Sequence, residues 1–96
     1  MRNFEEIKKI LIEHEEELKS KFKVKELGIF GSYARNEQRE DSDVDIIVDF
    51  DGPIGLEFVD LAEHLESILG LKVDLVPRDA IKSNKWKYVK EDLLYV

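Results

Sequence analysis

Phe4, Ile7, Leu11, Leu18 and Phe22 follow the spacing that lines one face of a helix, with His14 and Glu15 filling the middle, and charged residues fill most positions between them. The pattern predicts an amphipathic helix from residue 4 to about residue 21, and Asn3 followed three residues later by Glu6 has the form of a capping box at its start. The period then changes. VKELGIF, residues 24–30, is short and apolar and predicts a strand. GSYARNEQREDS predicts a turn region, with one helical turn opening at Ser32. DVDIIVDF, residues 43–50, is rich in β-branched side chains and predicts a second strand, and DGPIG predicts a loop. Residues 56–69 return to the helical period, with Leu61, Leu65, Ile68 and Leu69 inward and Gly70 as the stop. LKVDLV predicts a third strand ended by Pro77. AIKSNKWKYVKEDLLYV carries helical spacing in Ile81, Val89 and Leu93, with room for a short edge strand, LLYV. The order α-β-β-α-β-α implies an α/β (α+β) fold in which helices pack on a small mixed sheet.

Composition narrows the function classes. Ninety-six residues make one domain, 1–96, with a core of useful size. The chain has no cysteine, which excludes a disulfide, a zinc–thiolate site and a cysteine nucleophile. His14 and His64 both fall in helical stretches and read as helix-surface or boundary residues rather than ligands. The first twenty residues are too charged for a signal peptide, and no apolar run reaches the roughly 18 residues that span a bilayer. The expectation is a cytoplasmic protein without a membrane partner. A net charge of -7 disfavours direct nucleic-acid binding through phosphate neutralisation, so a phosphate-bearing ligand must arrive with cations. KSNKWKYVK, residues 82–90, is a local exception with four lysines and two aromatics; it is either a solvated helix face or a patch for a nucleotide or partner.

The candidate chemistry lies in the second strand. Side chains alternate across a strand, so Asp43 and Asp45 point one way while Val44, Ile46 and Val48 point the other. Asp74 is a third carboxylate inside an apolar strand, where strand pairing could bring it to the first two. Clustered carboxylates repel, and burial opposes their ionisation further, so protons, basic residues or cations must neutralise them. With no cysteine, and no histidine nearby in sequence, an all-oxygen set suits a hard ion, Mg²⁺ or Mn²⁺, held together with substrate phosphates. Gly31 directly after a strand allows backbone N–H groups to approach a phosphate, Ser32 adds a hydroxyl, and Arg35 can bind phosphate or brace the aspartates.

Taken together, Gly31-Ser32, ten residues, then Asp43-Val44-Asp45 resembles the GS-x10-DxD signature of the DNA polymerase beta-like nucleotidyltransferase superfamily. More closely, GSYAR…SDVDIIVDF and KVDLV resemble the minimal nucleotidyltransferase (MNT) antitoxin family, over nearly the whole chain. The resemblance implies a minimal nucleotidyltransferase fold without added domains. It implies Asp43, Asp45 and Asp74 as catalytic ligands of Mg²⁺ and Gly31 and Ser32 as holders of ATP; two ions are the standard arrangement for in-line phosphoryl chemistry. It also implies transfer of AMP to a tyrosine of a HEPN-domain RNase toxin. The partner would supply the acceptor surface, and an acidic chain suits a basic partner. The alternative is an antitoxin that silences its toxin by binding alone; a small-molecule nucleotidyltransferase ranks last, because it usually needs a second domain. The helices and the LLYV segment leave room for a homo-oligomer without demanding one. One departure stands out: Asn36 follows Ala-Arg where many relatives have glycine, and asparagine is the next most tolerant residue for positive φ.

Overall fold

The computed structural model describes residues 2–96. Helix α1 (Phe4–Glu13) begins where expected, with Asn3 Oδ1 accepting the Glu6 backbone N–H at 2.9 Å. The single long helix expected from the spacing is instead two. His14, at φ -103 and ψ 11, shares its N–H between the carbonyls of Ile10 and Leu11, and α2 (Glu15–Phe22) restarts immediately after it. The restart is electrostatically favourable: Glu15, Glu16 and Glu17 fill the first turn and Lys19 and Lys21 the last, as the helix dipole prefers. The bend lets Ile7 and Leu11 of α1 and Leu18 and Phe22 of α2 reach one core.

Four strands follow: β1 (Val24–Phe30), β2 (Val44–Phe50), β3 (Val73–Pro77) and β4 (Leu94–Tyr95), with α3 (Glu57–Leu69) between β2 and β3 and α4 (Ser83–Asp92) after a short 3-10 turn. Their order in the sheet is β3-β2-β1-β4. β1 pairs antiparallel with β2 and with β4, whereas β3 joins β2 in parallel through the α3 crossover. The α-β-β-α-β-α order is therefore present, with the first helix divided and a fourth strand closing part of the β1 edge.

Burial follows the alternation read from the sequence. Val44, Ile46 and Val48 are fully buried beneath α1, α2 and α3, where they meet Ile29, Leu61, Leu65 and Leu69. Each such side chain contributes about 1.5–3 kcal/mol by leaving water. The opposite face of the sheet is covered only in part. There Ile47 lies beside Gly28, and Leu93, just after α4, comes so near that a Cβ at residue 28 would stand 2.5 Å from its Cδ1. Glycine at 28 thus allows the carboxy-terminal segment to lie against the face that carries the aspartates.

Candidate active site

The strand register assembles the carboxylates. Phe30 of β1 and Asp74 of β3 both stand opposite Asp45, one on each side of β2. Directly paired residues share a face, so Asp45 and Asp74 lie side by side, and Asp43 precedes Asp45 by one alternation on the same face. Asp43 and Asp74 are exposed and Asp45 is half-buried. Burial, and then the charges of Asp74 and Asp43, push the Asp45 carboxyl up from 3.8 to about 6, with Arg35 pulling in the opposite direction. Asp45 therefore sits within reach of both neighbouring carboxylates and of the Arg35 charge.

Gly31 sets the wall of this site. Its φ is 76, in the left-handed region, and a Cβ there would overlap the Asp45 carboxylate. Glycine is required twice over: for the turn, and for the space that Asp45 occupies. Residues 32–36 form the expected turn without extending into a helix, closed by Arg35 N–H to the Gly31 carbonyl (3.1 Å) and Glu37 N–H to the Ser32 carbonyl (2.8 Å). Asn36 takes φ 59, the left-handed conformation anticipated at that position.

Two residues outside the sequence reading hold this loop. Tyr33 is 1% exposed and joins the core cluster, so the loop is pinned by an aromatic anchor between two polar stretches. Burial and the nearby Asp43 charge raise its phenol above the ordinary value. The second is Asp92, the last residue of α4, whose Oδ2 accepts from Arg35 Nη1 at 2.5 Å. The aromatic signal of Tyr33 is visible in the sequence; the partner of Arg35, 57 positions away, has no local signal.

As a donor set the face offers carboxylate oxygens only. Among the described residues no three acidic or histidine side chains are already gathered at metal-ligating separation. What exists is a paired Asp45 and Asp74 with Asp43 at the margin, open on one side. Such a set fits a hard cation that brings phosphate and water ligands of its own, rather than one enclosed by protein. The lysine-rich segment presents a different surface: Lys82, Lys85, Lys87, Tyr88 and Lys90 are exposed on and just before α4, and Trp86 carries the Arg78 guanidinium 3.7 Å above its ring. No helix among the described residues is long and apolar enough to cross a membrane.

Residues 11–96 match the nucleotidyltransferase domain family. The chain belongs to that family. As a nucleotidyltransferase it is 50% identical over 97 residues to protein adenylyltransferase MntA of Thermococcus cleftensis, covering 100% of this chain and 98% of that protein. It is 52% identical over 98 residues to a candidate protein adenylyltransferase of Methanocaldococcus jannaschii, with 100% of both chains covered. Its fold matches a crystal structure of a toxin–antitoxin with AMP-PNP at TM-score 0.69 and 27% identity, over 98% of this chain and 72% of that one. Within this nucleotidyltransferase the structure brings Gly31 and Asp45 into contact and sets Asp74 beside Asp45. Asp43 stands on the same face, and Arg35 extends from the loop to Asp92 with its charge still felt by Asp45.

Proposed function

We propose that this nucleotidyltransferase transfers AMP from ATP to a tyrosine hydroxyl of a cognate HEPN-type toxin and thereby silences it. The observation that carries the reading is the pairing of Asp45 with Asp74 against a turn where only glycine fits. Support for a protein acceptor comes from the MntA relative at half identity. Support for a toxin partner and an adenine triphosphate comes from the structural neighbour, a toxin–antitoxin with AMP-PNP.

Gly31 and Ser32 receive the triphosphate through backbone N–H and hydroxyl donors, and Arg35 adds a positive fork beside them. Asp43, Asp45 and Asp74 would hold Mg²⁺, which when bound neutralises phosphate charge and acidifies the acceptor hydroxyl. The acceptor oxygen bonds to the α-phosphorus while the bond from that phosphorus to the β-bridging oxygen breaks, releasing pyrophosphate. Asp74, exposed at the rim, takes the hydroxyl proton. Most of the rate enhancement would come from positioning and charge neutralisation.

The test combines the purified chain, ATP labelled at the α-phosphate, Mg²⁺ and the protein encoded by the adjacent gene. Label is expected on a tyrosine of that protein and is expected to vanish with Asp43→Ala. Full inhibition of the toxin by Asp43→Ala would instead establish silencing by binding alone.

A further inference from the structure

We infer that Asp92, at the carboxy-terminal end of α4, is a positioning residue that holds Arg35 in place for the triphosphate. The inference rests on the nucleotide reading above and extends it to a residue outside the GS and DxD motifs.

Three observations lead there. The first is the placement of Asp92 itself. A carboxylate in the last turn of a helix faces the negative end of the dipole, so Asp92 is unfavourable for α4 and calls for another role. The second is its contact. Asp92 Oδ2 accepts from Arg35 Nη1 at 2.5 Å, and Asp92 is the better buried partner, its side chain 23% exposed against 44% for Arg35. The third is how the guanidinium is shared. Nη1 is taken by Asp92, and Nε lies 3.6 Å from Glu37 Oε1. Nη2, with two N–H donors, has no partner among the described residues. That edge remains for an anion.

Arg35 sits in the turn after Gly31, and its charge is already felt by Asp45. A guanidinium on an exposed loop samples many rotamers, and fixing one of its edges reduces what ordering costs when a phosphate binds the other. Leu93, the next residue, lies against Gly28 of β1, so Asp92 is anchored to the sheet rather than free to drift. The carboxy-terminal helix thus takes part in the nucleotide site at a distance from the aspartates.

The probe is AMP-PNP with Mg²⁺, titrated calorimetrically into the intact chain, with adenosine as a phosphate-free control. Asp92→Asn is expected to weaken AMP-PNP binding about tenfold, the scale of one charge-assisted contact, and to leave adenosine binding unchanged. Asp92→Glu should recover most of the loss. In an Arg35→Ala background Asp92→Asn should add nothing, because both act through one guanidinium. Equal weakening of both ligands, or fully additive losses, would overturn the role of Asp92 while leaving the nucleotide reading intact. Absence of AMP-PNP binding by the unmodified chain would overturn both.

Discussion

Replacing Asp45 by asparagine should make the ligand-free protein more stable at neutral pH while abolishing transfer. The substitution keeps shape and removes one of three neighbouring negative charges. In the native chain burial and the charges of Asp74 and Asp43 raise the Asp45 carboxyl from 3.8 to about 6. Native Asp45 therefore keeps its proton to a higher pH than the unfolded chain does. The favourable contribution is complete only well below 3.8, is lost as pH rises from there through about 6, and is absent at pH 7.5. Two pH units would be worth about 3 kcal/mol without screening, at 1.36 kcal/mol per unit. The carboxyl is only half-buried, and solvent screening reduces the figure to about 1 kcal/mol. For a domain of this size that is a rise in Tm of about 4–8 °C. The assay is thermal denaturation followed by circular dichroism in EDTA, at pH 7.5 and at about pH 3. Asp45→Asn should melt above the native protein at pH 7.5, and the two should coincide at about pH 3. Equal or lower melting of the variant at pH 7.5, or an advantage that persists in full at about pH 3, would refute the reasoning.

Other substitutions probe other parts of the frame. Gly31→Ala should lose about 1–2 kcal/mol from its left-handed φ alone and more from displacing Asp45, with transfer falling further than stability; pairing it with Asp45→Ala should restore part of the melting temperature and none of the activity. Asn36→Ala should cost about 1 kcal/mol in chemical denaturation, whereas Asn36→Gly should stay within about 0.5 kcal/mol of the native protein. Ile46→Ala removes a fully buried side chain at the sheet centre and should cost about 2–5 kcal/mol, read as a lower urea midpoint at unchanged slope.

The fold is legible where its signals are local. Alternation in VDIIV separates the core face from the acidic face, because one buried face forces a period of two. The tolerance of asparagine for positive φ likewise marks Asn36, and the turn there uses it. The break at His14 escapes the pattern because Leu11 and Leu18 stand two turns apart, in phase with one continuous helix, although His14 and Glu15 fill the apolar position between them; the triple glutamate of the next first turn is the available clue. The adjacency of Asp45 and Asp74 is written in neither strand. It depends on β3 joining β2 in parallel, which is fixed by where α3 packs rather than by any residue in either strand. The link from Arg35 to Asp92 lies still further out of reach, since it needs α4 placed on the acidic face.

The late strand also bears on how the molecule is made. β4 pairs with Gly28 and Ile29, and Val96 donates to the Leu27 carbonyl at 3.0 Å, so the outer rim of β1 is finished by residues translated after the other elements. While the nascent chain is still emerging, that rim presents unpaired amides and carbonyls next to apolar side chains, an invitation to pair with another polypeptide. Slow elongation through α4 would prolong that exposure, and any change that weakens the Val96 bond to Leu27 would prolong it too.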